Sequence, residues 1–414
     1  MRILVIVGEC IQVNTSSNLC NLAYLRGLIE TGHEVTLLSA DGKGYRIDPH
    51  MVIPKEVRCY TYSCMTLYEK LSRMKKDADN ATASIEKKNT PENTVPTGAT
   101  GRSWLRKAKK TVLSLYGVHG IYSKFTYKAI RFRSDTDYDL VISLSTPASS
   151  HLLAYKLLNF GHVECKHWVQ IWEDPWYSDI SGFTKNAAIF NEEKRLVALA
   201  ERVCYVSPIT LENQKKLFPE SAEKMFWAPL PSYYQDLPEE MIMPENKTVF
   251  GYFGEYSLPV RDLKPFYNAA KGNGIEVNVC GNSNLHLQST DRIHFYPRLE
   301  LAKLRPIEEK TSVLVFLCNR SGGQIPGKIY QYAATNKTIL FILDGTAEEK
   351  RILKEFFEPF HRFVFCENNQ EDIERAIQCI QKGELGNVVN TPLTQFSPAN
   401  IVSQIIEESM REIT

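Results

Sequence analysis

Residues 2–7, RILVIV, form an almost unbroken apolar run, the pattern of a strand covered on both faces, as in a parallel sheet. A loop, GECIQVNTSSN, follows. From about Asn18 to Thr31 the apolar residues Leu19, Leu22, Ala23, Leu25, Leu28 and Ile29 recur at helical spacing, ended by Gly32 and followed by a second strand, EVTLLSA. Strand, helix and strand make one βαβ unit. The pattern recurs at 139–145 (DLVISLS), with a helix after Pro147, and at 167–172 (HWVQIW). From residue 248 it restarts. TVFGYFG (248–254), IEVNVCG (275–281), TSVLVFL (311–317), KTILFIL (337–343) and HRFVFCE (361–367) read as strands, with a helix over about 263–270. The economical reading is α/β throughout: two Rossmann-like wound domains, 1–235 and 245–395, joined where APLPSYYQDLPEEMIMPEN carries four prolines. The last stretch, 397–414, has a serine cap, a first-turn proline and helical apolar spacing, so it is expected to form a helix that crosses back to the first domain.

Composition changes this picture little. At 414 residues the chain exceeds one ordinary core, and a formal net charge of +1 gives no bulk attraction to nucleic acid. No apolar run has the length of a secretory signal or a membrane span, so a cytoplasmic location is expected. The ten cysteines sit mostly in strand-like surroundings, and Cys59 and Cys64 lack a second pair at zinc spacing, so no metal site is expected. Two local departures stand out. About 75–102 is polar and expected to be a mobile insertion. Residues 102–133 carry nine Lys or Arg and no acid, interleaved with aromatics. Such a segment either lies on an anionic membrane, placing the protein peripherally at its inner face, or grips a charged lipid-linked substrate, or is an amphipathic core helix with a solvated basic face.

Two wound domains bring the C-terminal ends of two sheets to face each other across a cleft, where ligands bind. The first strand is not followed by G-x-G-x-x-G, and the chain has no G-x-x-x-x-G-K-[ST], which argues against dehydrogenase and ordinary P-loop chemistry. The stretch SGGQIPGKIYQYAATNKTILFILDG supplies a different candidate. Gly322 and Gly323 permit unusual backbone geometry, and Pro326 suits the first turn of a helix expected over about 326–334. Lys328 stands in that first turn, so a phosphate is the natural ligand.

In their order these motifs resemble the GT-B glycosyltransferases, particularly the retaining, family-4-like group. NTSSNLCNLAYLRGLIETGHEVTLLSA is similar to that group's first turn, helix and strand, QIWEDPWYSD to its DLWP segment, and NEEKRLVALAERVCYVSPI to its E-x6-A-D-x-V-x-x-V-S. FGYFGEYSLPVRDLKPFYNAA resembles the segment whose glycine turn and basic residue approach the donor diphosphate, and GGQIPGKIYQYAATNKTILFI resembles P-x-K-x-x-E-Y-x-A-x-G-x-P-V-I. The resemblance implies a glycosyltransferase whose nucleotide-sugar donor is a substrate, with no cofactor. Its acceptor would be a glycan or lipid-linked molecule, in surface polysaccharide or glycoconjugate synthesis. Gly254, Gly322, Gly323, Gln324, Ile325 and Pro326 would border the donor, with Arg261 and Lys328 neutralising the leaving diphosphate.

The motif departs from the group at two places. Where two glutamates eight positions apart are usual, this chain has Gly323 and Gln331. An amide at 331 can still hydrogen-bond a ribose, whereas Gly323 leaves the sugar to Gln324 and backbone N–H groups. In the first domain, Asp174 either orients an acceptor hydroxyl or the sugar, or caps a helix starting at Pro175. Ser16, Ser17 and Asn18 either contact phosphate or acceptor, or cap the first helix. Two other readings follow from the departures: a catalytically silent relative that binds a partner, and a nucleotide-sugar epimerase on the same architecture.

Overall fold

The computed structural model describes residues 1–63, 117–180, 184–233 and 248–412. The expected insertion at 75–102 and the first half of the basic segment lie outside them. The strands, in chain order, are β1 Arg2–Val7, β2 Glu34–Ala40, β3 Arg58–Tyr62, β4 Tyr138–Ser145, β5 Cys165–Trp172, β6 Arg202–Tyr205, β7 Met225–Trp227, β8 Val249–Phe253, β9 Glu276–Cys280, β10 Ile293–Tyr296, β11 Val313–Leu317, β12 Thr338–Leu343 and β13 Phe363–Glu367. The helices are α1 Ser16–Glu30, α2 Ser123–Ala129, α3 Ser149–Asn159, α4 Ala187–Leu199, α5 Pro208–Leu217, α6 Lys264–Gly272, α7 Leu301–Glu309, α8 Lys328–Ala333, α9 Ala347–Phe357, α10 Gln370–Lys382 and α11 Pro398–Met410.

Two fully parallel sheets result. The first has the order β3-β2-β1-β4-β5-β6-β7 and the second β10-β9-β8-β11-β12-β13. In each, the order reverses beside its first strand, which opens a crevice at the C-terminal edge between β1 and β4, and between β8 and β11. The apolar runs are unbroken because both faces are covered. Ile3, Val5 and Val7 of β1 belong to one core, and Leu4 and Ile6 to another. The first of these cores continues across the two domains, taking in Leu230, Ile325 and Phe341.

The chain crosses between the domains twice, and the crossings touch: Ser232 N–H donates to the Phe396 carbonyl at 2.8 Å. Beyond the second crossing, α11 packs along α1 and against β5. The sequence pattern does not mark the edge strands β3, β7 and β10: RCYTY and IHFY are short and partly exposed, and MFW, though apolar and largely buried, is only three residues long. In the basic segment, Phe125, Ala129 and Phe132 are core residues while Tyr127 is 67% exposed.

Candidate functional site: a charged cleft between the sheets

Between the domains lies a cleft of about 410 Å³, bordered by the C-terminal edges of both sheets. From the second domain come Gly254 just after β8, Arg261, Arg298 before α7, Asn319 after β11, and the run Gln324, Ile325, Pro326, Gly327, Lys328 leading to Gln331. The first domain contributes Asn14, Ser16 and Ser17 at the start of α1, and Glu173, Asp174 and Asp179 after β5.

Three cations of the second domain converge here, each held by a local partner. Arg261 donates from Nε to Asn319 Oδ1 at 2.8 Å and from Nη1 to the Glu255 carbonyl at 2.9 Å. Arg298 lies 3.6 Å from Glu255 Oε1 and reaches across the cleft to the Asn14 carbonyl at 3.2 Å. Lys328 Nζ is 3.5 Å from Glu308 Oε1 of α7. Behind it, Lys337 Nζ donates to the carbonyls of Glu308 and Glu309 at the end of the same helix, and burial lowers its pKa to about 8. Lys337 therefore fixes the helix end against which Lys328 is aimed. Among the described residues no cluster of three His, Cys, Asp or Glu is placed to hold a metal.

Two buried amide oxygens bordering the cleft, Gln324 Oε1 and Gln331 Oε1, have no partner within the chain, while the Ser17 hydroxyl sits against the Glu173 carboxyl. A buried polar group without a partner costs about 1–3 kcal/mol, so a concentration of them in one cleft marks where a polar ligand belongs. Gln331, only 4% exposed, keeps its carbonyl oxygen free at the place where the sequence suggested a ribose partner.

The acidic wall is held from behind. Glu193 of α4, fully buried, accepts from the backbone N–H of Tyr177 at 2.6 Å and of Trp176 at 3.3 Å, which pins the loop after β5. Burial pushes the Glu193 carboxyl up to about 7. Asp174 accepts a hydrogen bond from Gln324 across the cleft. Its side chain is open to the cleft yet ringed by protein, and that surrounding mass, with the charge of Asp179, pushes its carboxyl up to about 6.

Some sequence expectations need correction. Gly322 and Gly323 do not border the cleft. Gly322 faces Ile180, and Gly323, with φ +72°, presses on Ile209 while its carbonyl accepts from Ser207 Oγ at 2.6 Å and Thr210 Oγ1 at 3.4 Å at the start of α5. The glycine pair makes a contact between the domains and stands outside the lining of the cleft. The helix expected over 326–334 is six residues long, with a turn at Pro326–Gly327 before it, so its dipole is minor beside three full charges. No helix starts at Pro175, which leaves Asp174 with no capping role. Thr15 caps α1 by accepting from Asn18 N–H at 3.1 Å, so Ser16 and Ser17 are not the cap. Arg298 and Glu173 escaped sequence reasoning. Arg298 sits in an unpatterned link, whereas Glu173 had a signal, a carboxylate directly after a buried parallel strand.

No protein-family model matches the sequence, and a search of curated proteins gives no sequence match. Solved structures do match in shape. Sucrose-phosphate synthase from Thermosynechococcus elongatus aligns over 98% of both chains with a TM-score of 0.58 at 12% identity. A glycosyltransferase from Rickettsia africae aligns over 99% of both chains with a TM-score of 0.50 at 11% identity. The UDP-GlcNAc 2-epimerase of Neisseria meningitidis, bound to UDP-GlcNAc, aligns at 0.46 and 13% identity, too loose a likeness to separate transfer from epimerisation. With two facing parallel sheets, a cleft between their C-terminal edges and a closing helix that returns to the first domain, the chain has the GT-B fold.

Proposed function

We propose that the protein is a glycosyltransferase of the retaining, family-4-like kind, moving a sugar from a nucleotide-sugar to a glycan or lipid-linked acceptor in surface polysaccharide or glycoconjugate assembly. The observation that carries this reading is the convergence of Arg261, Arg298 and Lys328 on a cleft bordered by unpartnered buried amide oxygens. A nucleoside diphosphate leaving group gains negative charge as the glycosidic bond breaks, and cations already fixed by Asn319, Glu255 and Glu308 meet that charge with little rearrangement. Gln331 accepts a ribose hydroxyl. The acceptor oxygen bonds to the anomeric carbon as the bond from that carbon to the diphosphate oxygen breaks, and the acceptor's proton passes to the departing diphosphate.

The test is a thermal-shift screen of the full chain against nucleoside diphosphates and nucleotide-sugars. A ligand at a hundred times its dissociation constant stabilises by about 2.7 kcal/mol, so one base should give a clear shift. Lys328→Ala and Arg261→Ala should each weaken binding by about 1.5–3 kcal/mol, the scale of a hydrogen bond to a charged group. Unchanged binding in both variants would sink the donor-site assignment. Isomerised sugar released without an acceptor would make the protein an epimerase.

A further inference from the structure

The three cations of the cleft differ in what neutralises them. Lys328 has the Glu308 carboxylate at 3.5 Å and Arg298 that of Glu255 at 3.6 Å. Arg261, among the described residues, meets neutral oxygens: the Asn319 amide, the Glu255 carbonyl and the Tyr252 phenol. A guanidinium does not shed its proton, so its charge needs an answer from farther off. The carboxyl on the opposite wall that feels this charge is Asp174.

Asp174 is fastened to the second domain at the same place. Gln324 Nε2 donates to its Oδ1, and the Gln324 carbonyl accepts from Asn319 Nδ2 at 3.1 Å, the amide whose oxygen holds Arg261. One chain of contacts thus joins Asp174, Gln324, Asn319 and Arg261 across the two domains. The other ionisable groups around Asp174 are Glu173 and Asp179 on its own loop and Cys20 of α1, with Glu9 after β1 acting on Glu173, while Lys328, Arg298 and Glu255 also border the cleft. Burial keeps Glu173 and Cys20 protonated. In Asp174, burial and then the charge of Asp179 raise the pKa to about 6, against the pull of Gln324 and Arg261. Asp174 is therefore ionised at neutral pH, yet within reach of a proton.

We propose that Asp174 is the resident counter-ion of Arg261, and that a nucleotide diphosphate takes over this role and drives a proton onto Asp174. This rests on the donor reading of the cationic wall. A diphosphate at Arg261 cancels the charge that favours ionised Asp174 and sets like charge beside it, and both changes favour the protonated form. By linkage, a ligand whose binding takes up a proton binds more tightly as pH falls. The dependence lies above pH 6, and it levels off below, where Asp174 is protonated with or without ligand. Protonation also turns the Gln324 contact from a charge-assisted hydrogen bond into a neutral one, so donor binding loosens this link between the domains.

The test is titration calorimetry of the full chain with UDP-glucose, ADP-glucose, GDP-mannose and dTDP-glucose, whose diphosphate diesters do not themselves titrate near neutral pH. The nucleotide-sugar that binds should do so about fivefold or more tightly at pH 6 than at pH 8.5. At pH 7 the heat should differ between buffers of small and large ionisation enthalpy, in the direction of proton uptake. Asp174→Asn keeps an acceptor for Gln324 but cannot ionise. It should bind with no pH dependence and no buffer-dependent heat, within about threefold of the wild-type affinity at pH 6. Wild-type affinity that stays flat over this range without buffer-dependent heat would overturn the proposal, and that result needs no variant to fold. A pH dependence that survives in Asp174→Asn would overturn it too, by placing the proton elsewhere. Binding without proton uptake leaves the donor reading standing and removes this proposal alone, whereas no binding at any pH removes both.

Discussion

Position 323 admits no side chain. Its φ of +72° disfavours any L-residue, and a Cβ there would overlap Ile209 Cγ2 and stand 2.9 Å from Ile209 Cβ. Gly323→Ala should therefore cost about 2 kcal/mol or more in a urea denaturation, combining left-handed backbone strain with overpacking. Adding Ile209→Ala should recover part of that loss, read as a coupling in a double-mutant cycle. The glutamate usual at this place in the resembling group could not be accommodated without moving the domains apart. Sequence pattern exposed the glycines but not their direction, because a glycine loop that cradles an anion and one that lets two domains close together read alike. Arg298 illustrates the opposite blindness. Nothing in PRLE marks it, since its place in the cleft depends on the β10–α7 link reaching Asn14 of the other domain. Arg298→Ala should weaken nucleoside diphosphate binding about tenfold or more by titration calorimetry, with Arg298→Lys intermediate, since one ammonium replaces a planar fork.

Elements carry the next level of control. The loop after β5 is held by Glu193, whose carboxyl is pushed from its ordinary 4.5 up to about 7. The folded protein thus binds this proton more tightly than the unfolded chain does, so the group's contribution is complete below about pH 4.5 and is lost as pH rises through 7. The loss is on the order of 3 kcal/mol. Denaturant melts at pH 5 and pH 8 should show it. Glu193→Gln should flatten that dependence and also lower stability by about 1–3 kcal/mol, because one amide oxygen cannot serve both the Trp176 and Tyr177 N–H groups. Elements whose apolar runs are unbroken, β1, β11 and β12, were legible because burial on both faces writes itself into nearly every residue. The edge strand β3, RCYTY, was not, since exposure leaves its residues free to be polar.

At the scale of the whole molecule, contacts across the cleft use the same groups that border it: Gln324 with Asp174, and Arg298 with Asn14, beside the Ser207–Gly323 clasp. Two wound domains were legible from repeated strand grammar, but this clasp was not, because it joins residues more than a hundred positions apart that share no local pattern. The return helix α11 seals the first domain, burying Ile401, Val402 and Ile405. Ending the chain after residue 395 should remove several kcal/mol from the first domain, at about 1.5–3 kcal/mol per buried aliphatic side chain. All five tryptophans precede residue 235, so fluorescence-monitored urea unfolding reads that domain directly.

The paired crossings at Ser232 and Phe396 have a mechanical corollary. The second domain is a closed excursion from the first, leaving and rejoining it at neighbouring points. A pull between residues 2 and 410 in an optical trap would load the first sheet and the α1–α11 seam. The second domain would sit outside the load path, like a pendant on a taut string, until α11 peeled away.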